Sequence, residues 1–309
     1  MENANKTSLE EFLLLAFSGL GQLQTPLFVI ILCMYIVCIG GNVAIIVLVR
    51  VEPSLHSPMY FFISLLAALD VMFVSCIIPK LLSNLIAANK RISFIGCFSQ
   101  MFFSDSLGTA ECYLLAVMAF DRDLAVNNPL HYFNIMNNEL CVTLASLPWV
   151  VGIICVIIPT ILTARLEFCG SNEVNHFFCD FAPLHSLACS DPFVSQVVSN
   201  SMAFLAAVVP FITTIGFYIH IIVIISRIHS SKGKFKVFST CSSHLSVAGL
   251  YYITAIIVYV LPQGIQYEKF LALSYTVVTP LCNPFIYTFR NRDVKKALFR
   301  VTSCRVSSS

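Results

Sequence analysis

The sequence predicts an all-α membrane protein, a seven-transmembrane helix bundle followed by a short cytoplasmic amphipathic helix. Of its 309 residues, 58% are hydrophobic and only 11% are charged, whereas soluble domains average roughly 45–50% and about 25%. A chain of this length cannot bury so much apolar surface in one aqueous core, and its mean hydropathy is +0.84. The net charge of +2 and the lack of a basic run give no reason to expect a nucleic-acid partner.

Seven apolar stretches predict the membrane spans, because roughly 20 apolar residues cross the hydrocarbon layer as a helix. Asp70 and Lys80 interrupt the second stretch. Pro280 and Pro284 interrupt the seventh, where neighbouring helices can satisfy the carbonyls that proline leaves free. In chain order the predicted spans are Leu27–Val49, Pro58–Ile86, Phe98–Phe120, Leu140–Leu162, Val197–Ile225, Val237–Leu261 and Phe270–Phe289.

Basic residues predict the orientation of the bundle. Twelve of the 18 Lys and Arg residues fall on one side of the predicted spans, and cytoplasmic loops keep that excess. The acceptor Asn5-Lys6-Thr7 agrees, since N-glycosylation would require an outside N-terminus. We therefore expect a plasma-membrane protein with an extracellular segment at 1–26, a bundle at 27–289 with extracellular loop 2 at about 163–196, and a cytoplasmic helix and tail at 290–309.

Four cysteines fall on the oxidising side of the predicted topology: Cys97, Cys169, Cys179 and Cys189. Four cysteines allow three pairings, and each pairing would tie down the long loop. His176-Phe177-Phe178-Cys179-Asp180 also suggests a zinc or copper site, since imidazole and thiolate are good ligands. We expect Cys179 to be oxidised instead, and we predict no metal site there.

Five motifs follow one another along the chain. The third span ends with Met118-Ala119-Phe120-Asp121-Arg122-Asp123, and Asn128-Pro129-Leu130-His131-Tyr132 comes next. The others are Gly41-Asn42; Leu55-His56-Ser57-Pro58-Met59-Tyr60-Phe61-Phe62, leading to Asp70; Lys236-Val237-Phe238-Ser239-Thr240-Cys241-Ser242-Ser243-His244-Leu245; and Pro280-Leu281-Cys282-Asn283-Pro284-Phe285-Ile286-Tyr287, leading to Arg290-Asn291. In this order, over essentially the whole chain, they resemble the odorant (olfactory) receptors, a branch of the rhodopsin-like (class A) G-protein-coupled receptors.

The resemblance implies two disulfides and a switch at the cytoplasmic end. The disulfides would be Cys97–Cys179 and Cys169–Cys189. Asp121 and Arg122 would neutralise each other at rest, and Arg122 would be released to a G protein when the bundle opens. The implied coupling and switch residues are Asp121, Arg122, Tyr218, Lys236, His244, Asn283, Pro284 and Tyr287.

Asp123 departs from the family pattern, which usually has Tyr at this position. A second carboxylate beside Arg122 is expected either to overstabilise the resting state or to weaken coupling.

Two acids are expected deep in the bundle. Asp70 lies in the middle of a span, and Glu111 lies about 21 Å along the third helix from Cys97. Together with Asn42 and Asn283 they resemble the sodium pocket of rhodopsin-like receptors. The alternative is a protonated, hydrogen-bonded carboxyl. Apart from this possible allosteric sodium ion, no cofactor and no catalytic site is expected.

A small-molecule site is expected in the outer half of the bundle. Its first part is an inward stripe on the third span, formed by Ser104, Asp105, Gly108, Thr109 and Cys112. The resemblance adds residues from the fifth, sixth and seventh spans: Met202, Ala206, Tyr252, Ala255, Tyr259, Leu273 and Thr276. Few of these side chains carry charge, so the lining favours small, volatile, weakly polar organic ligands.

Asp105 is the exception in this lining. A carboxylate there would favour amines or other hydrogen-bond donors. The alternatives are an ion pair with Lys80 or a protonated acid, since a free carboxylate would disfavour apolar ligands. We favour the neutral form.

The resemblance therefore predicts a receptor and not an enzyme. An extracellular odorant would stabilise the open bundle, and a stimulatory, olfactory-type G protein would raise cyclic AMP. A transporter or channel is the alternative, but no repeated half is visible in the chain. An intramembrane enzyme would need a motif such as H-E-x-x-H, which the sequence lacks. Membrane lipid would contact an amphipathic helix near Arg290–Arg300.

Overall fold

The computed structural model describes residues 10–87, 90–169, 171–227, 230–260 and 268–306, and their side chains except at 231–233, 235–240, 256–260, 268, 289–290, 292 and 301–306. The helices are α1 Gln24–Val51, α2 Pro58–Ile86, α3 Phe94–Asn127, α4 Tyr132–Ile135, α5 Asn138–Ala164, α6 Phe181–Leu187, α7 Phe193–Arg227, α8 Ser231–Val260, α9 Glu268–Leu273, α10 Thr279–Arg290 and α11 Arg292–Val306. The strands are β1 Glu11–Leu14, β2 Arg91–Ser93 and β3 Glu173–Val174.

The seven predicted spans correspond to α1, α2, α3, α5, α7, α8 and the α9–α10 segment, where a π-helical turn, Ser274–Val278, joins α9 to α10. Among the described residues, five helical segments are long and apolar enough to cross a membrane: Ser18–Val51, Pro58–Ile86, Asn138–Ala164, Phe193–Arg227 and Lys269–Thr288. α3 falls short of that hydropathy because it carries charged residues, yet it lies at the centre, where it packs against α2, α5, α7 and α8. Its polar side chains therefore contact other helices more than lipid.

Helices α3 and α8 extend more than four residues beyond the predicted spans. α3 begins at Phe94, where the Ser93 hydroxyl caps the helix by accepting from the Gly96 amide (3.1 Å), and it continues to Asn127. The charged residues beside Arg122 suggested the end of the helix, but they have partners on neighbouring helices: Asp121 bonds to Tyr132 of α4, and Asp123 bonds to His220 of α7. α8 begins at Ser231, so the connection after α7 is shorter than predicted.

The surface of the bundle exposes large apolar side chains. Ile36 of α1 is 59% exposed, Ile154 of α5 is 58% exposed and Ile212 of α7 is 63% exposed. A contiguous apolar exterior of this kind suits contact with lipid.

One end of the bundle carries a three-stranded sheet with the order β2-β1-β3, and we call it the sheet end. β1 pairs antiparallel with β2 and parallel with β3. The Phe12 side chain is fully buried and packs edge-on against Phe168 (5.4 Å between ring centroids). The sequence did not predict this sheet. It means that the segment before α1 is folded over the bundle.

Both implied disulfides form: Cys97–Cys179, with 5.4 Å between the Cα atoms, and Cys169–Cys189, with 5.9 Å. The first ties the long loop to the start of α3. Gln100 strengthens this joint, because its Oε1 accepts from the Cys179 amide (3.1 Å) and its Nε2 donates to the Cys76 carbonyl of α2 (3.0 Å). The loop is thus fixed to two helices.

Candidate functional site

The α3 stripe predicted to meet a ligand is buried in the bundle. Ser104, Thr109 and Cys112 are at most 7% exposed, and Gly108 is buried. The Ser104 hydroxyl donates to the Gln100 carbonyl of its own helix (2.8 Å). Its donor is therefore already used, which limits what it offers to a ligand.

Two tyrosines of α8 bond to the backbone of this stripe. The Tyr251 hydroxyl donates to the Gly108 carbonyl (2.8 Å) and lies 2.8 Å from the Tyr275 hydroxyl. The Tyr252 hydroxyl donates to the Cys112 carbonyl (2.9 Å). Tyr252 was predicted as a ligand contact, whereas Tyr251 and Tyr275 were missed. The adjacent pair Tyr251-Tyr252 on one predicted span was the signal available.

The other predicted ligand residues lie around the same region. Ala255 is 5% exposed and Ala206 is 9% exposed, while Met202 and Leu273 are half-buried. Thr276 is buried, and its hydroxyl donates to the Ala272 carbonyl (2.8 Å). The side chain of Tyr259 lies outside the described residues. Contact with a ligand stays a prediction for all of them.

Asp105 does not pair with Lys80. The Lys80 ammonium donates instead to the Arg91 carbonyl at 2.6 Å, so this alternative for Asp105 is not observed in the part of the chain that the structure describes. Among the described residues, Oδ2 of Asp105 is buried without a hydrogen-bond partner. The neutral form of Asp105 stays a prediction.

A polar cluster joins three helices in the middle of the bundle. The Asn283 amide of α10 donates to both carboxylate oxygens of Asp70 on α2 (3.2 and 2.9 Å). The Asn42 amide of α1 donates to the Pro280 carbonyl (3.1 Å). Within the described part of the chain, Oε1 of Glu111 and Oδ1 of Asn283 are buried and accept no hydrogen bond. These unpaired oxygens suit a small cation, whereas the Asn42 amide is bonded to backbone.

The Arg122 end of the bundle, opposite the sheet, is closed by side chains. The Arg122 guanidinium is 7% exposed and bonds to Oδ2 of Asp121, with Nε at 2.9 Å and Nη2 in closer contact. The Tyr132 hydroxyl donates to Oδ1 of the same carboxylate (2.6 Å). Burial and the neighbouring Asp121 carboxylate raise the pKa of Tyr132. Arg122 is thus held inside the bundle.

Asp123 has a partner on another helix. Its Oδ1 lies 2.6 Å from Nδ1 of His220 on α7. The expected effect of this second carboxylate on the resting state or on coupling stays a prediction. Sequence reasoning missed His220 because it stands outside all five motifs.

Of the remaining switch residues, His244 and Tyr287 line a small cavity at the same end. Tyr218 of α7 and His244 of α8 are joined through the tyrosine hydroxyl and Nδ1 (2.6 Å). The Tyr287 side chain is 3% exposed. The ring of Pro284 packs close to Gly41, because a Cβ added to that glycine would lie 3.0 Å from the proline ring. The side chain of Lys236 lies outside the described residues. The cavity is lined by Met59, Ile63, Met118, Asp121, Arg122, Ser243, His244, Tyr287 and Asn291.

His176 of the long loop is packed against aromatic rings. His176 is 4% exposed and stacks on Phe177, with 4.7 Å between the centroids. Burial lowers the pKa of His176 to about 4. Cys179 is in a disulfide, as expected. The predicted glycosylation site, Asn5, lies outside the described residues.

Comparison with known proteins agrees with this arrangement. The family model for the olfactory receptor matches residues 31–305. The chain is 42% identical to olfactory receptor 1M1 of Mus musculus over 312 residues, which cover 100% of both chains. It is 43% identical over 304 residues to olfactory receptors 11L1 and 1F1 of Homo sapiens, covering 97% of this chain and 94% and 97% of theirs.

Matches over nearly the whole length at this identity settle the family and leave the ligand open. This family is a receptor family and not an enzyme family. The chain belongs to the olfactory receptor family, and it is an odorant-sensing, multi-pass G-protein-coupled receptor of the plasma membrane with a seven-transmembrane bundle.

Proposed function

We propose that this receptor binds small, mostly apolar organic ligands from the extracellular side and activates a stimulatory, olfactory-type G protein that raises cyclic AMP. One observation carries the proposal. Tyr251 and Tyr252 of α8 are hydrogen-bonded to α3 at the predicted ligand stripe. At its opposite end, α3 carries Arg122, which is bonded to Asp121.

The ligand class follows from the groups that remain available. The Ser104 and Tyr252 hydroxyls donate to backbone carbonyls, and the surrounding Ala206 and Ala255 are apolar. A lining with few free polar groups selects ligands by shape and apolar area. A protonated Asp105 would supply one hydrogen-bond donor, which suits a carbonyl, ester or alcohol oxygen.

The coupling between the two ends is a population shift. A ligand that binds better when α8 has moved favours the state in which the α3–α8 bonds are rearranged. In that state Arg122 would leave Asp121 and become available to the G protein. A ligand with equal affinity for the closed and the open state would not shift the equilibrium between them.

The proposal includes the topology and a cation site. The sheet end, 1–26 and the loop at 163–196 would be extracellular, and 290–309 would be cytoplasmic.

Asp70, Glu111 and Asn283 would hold a sodium ion, because their acceptor oxygens are buried without enough donors. The ion would offset the charge of the two acids and favour the closed bundle. An Asp70→Asn variant should then lose the sodium sensitivity of agonist potency, whereas equal sodium sensitivity in both proteins would contradict the site.

Cyclic AMP measured in cells that carry the receptor tests the main proposal. An odorant panel should raise cyclic AMP, and an Arg122→Gln variant at equal surface density should not respond. Responses of Arg122→Gln equal to those of the unaltered chain would contradict the switch. A current or solute uptake without any G-protein signal would favour the channel or transporter alternative.

A further inference from the structure

A hydrogen bond joins α3 to α7 at the Arg122 end. Oδ1 of Asp123 lies 2.6 Å from Nδ1 of His220, and the two side chains are 12% and 50% exposed. Asp123 is in the last two turns of α3, and His220 is about two turns before the end of α7. The bond therefore sits where the two helices leave the bundle.

Neighbouring residues of α3 have different partners at this end. Successive residues of a helix point about 100° apart, so Arg122 and Asp123 face different helices. Arg122 bonds to Asp121, whose other oxygen accepts from Tyr132. Asp123 bonds to His220 instead. Asp123 thus connects α3 to α7, while Arg122 is bonded to Asp121.

α7 is also tied to α8 close to this bond. Tyr218 and His244 are hydrogen-bonded (2.6 Å), and Ala119, Tyr218, Ile221 and Cys241 form one buried cluster between the three helices. α7 is therefore held on both sides. A movement of α8 away from α3 must either carry α7 along or break the contact with His244.

We propose that the Asp123–His220 bond is a latch that holds α7 against α3 in the closed receptor and thereby lowers its basal signalling. The Asp123–His220 bond is present in the closed state, in which Arg122 is bonded to Asp121. It therefore stabilises the closed state relative to the open state. The latch rests on coupling to a G protein in general and not on the stimulatory type proposed above.

The energetic expectation is modest. Allosteric couplings of this kind change an equilibrium by about fivefold or more, and the half-exposed imidazole places this bond at the low end. Loss of the bond should therefore raise the active fraction of ligand-free receptor by about fivefold. It should not abolish the response to agonist, because neither residue faces the ligand stripe.

Variants at both positions test the latch. Asp123→Asn and His220→Ala should each raise basal signalling by about fivefold at equal surface density. The double variant should be no more active than either single variant, because both remove the same bond. The exchanged pair Asp123→His/His220→Asp should restore low basal signalling. Ile222→Ala, on the same helix and 62% exposed, is the matched control and should leave it unchanged.

A structural measurement keeps the test independent of the G protein. Spin labels at Asn127 and Ser226, which are exposed near the ends of α3 and α7, report the separation of these ends in purified receptor. His220→Ala should lengthen or broaden that distance even if no cyclic AMP response exists. Unchanged distances, unchanged or lower basal signalling in the single variants, additive effects, or no rescue by the exchanged pair would each overturn the latch.

Discussion

The Tyr251 hydroxyl of α8 donates to the Gly108 carbonyl of α3 across the centre of the bundle (2.8 Å). The glycine also leaves room for a second tyrosine. A Cβ at Gly108 would lie 3.8 Å from the Tyr251 hydroxyl, an ordinary contact, but 3.3 Å from the Tyr275 hydroxyl, which is tight. The close approach of the Tyr275 hydroxyl to α3 is therefore easiest at a position without a side chain.

Replacing Tyr251 with Phe should destabilise the closed bundle. The change removes a buried hydrogen bond worth about 1 kcal/mol and leaves the ring in place. We expect a melting temperature lower by about 2 °C in purified receptor, measured with a thiol-independent dye. Tyr35→Phe is the control, since its hydroxyl bonds to Ser75 at an exposed position. A smaller loss for Tyr251→Phe than for Tyr35→Phe would contradict the role of the α3–α8 bond.

Replacing Gly152 with Ala should reduce folding. Gly152 of α5 lies against the Ser106 carbonyl of α3, and a Cβ there would overlap that backbone oxygen. Overpacking of this kind costs about 1–3 kcal/mol, and a backbone atom cannot rotate away. Surface expression, measured by flow cytometry, should fall severalfold. Gly40→Ala is the control, because nothing lies within 4 Å of its added Cβ; equal expression of both variants would refute this packing argument.

Replacing Tyr132 with Phe should raise basal activity. Its hydroxyl donates to the Asp121 carboxylate (2.6 Å), and a hydrogen bond to a charged group contributes about 1.5–3 kcal/mol. Without it, Asp121 holds Arg122 less firmly. Basal cyclic AMP at equal surface density is the measurement, with Phe133→Leu, a 69% exposed neighbour, as the control. Lower basal activity in Tyr132→Phe would mean that the bond supports the open state.

Acid should destabilise the long loop through His176. Its folded pKa is lowered to about 4 by burial, whereas an unfolded histidine has a pKa of about 6.5. Above pH 6.5 both states are neutral, so stability does not depend on this group. As the pH falls from 6.5 towards 4, only the unfolded state binds the proton, and stability declines by about 2 kcal/mol at pH 5.

Melting temperatures of purified receptor between pH 5 and 7.5 measure this effect. The slope should flatten in a His176→Phe variant. Part of the slope should remain, because burial also lowers the pKa of His185. An unaltered slope in His176→Phe would assign the acid sensitivity to other groups.

Hydropathy and short motifs predicted much of this molecule. Long apolar runs located the spans because a bilayer imposes length and composition on each helix. The Asp121-Arg122 motif located the closed end, and the family pattern gave the Cys97–Cys179 pairing. These features are local in the chain, or they repeat a pattern that the whole family carries.

The missed features depend on distant contacts. β1 has four residues and β2 has three, too few for an alternating pattern to stand out, and their pairing joins residues such as Phe12 and Ile92. The bond between Asp123 and His220 depends on how two helices are rotated against each other. The relative rotation of two helices cannot be predicted from composition or from residue spacing, so the bond became visible only in the structure.

The sheet over the bundle governs how an odorant can arrive. Phe12 and Phe177 are fully buried beneath the strands, and the Lys269 ammonium fastens the cover by donating to the Ala16 carbonyl (2.9 Å) and to Asn175 Oδ1 (2.6 Å). A ligand that comes from the water at the sheet end would have to displace this cover before it reaches the interior of the bundle.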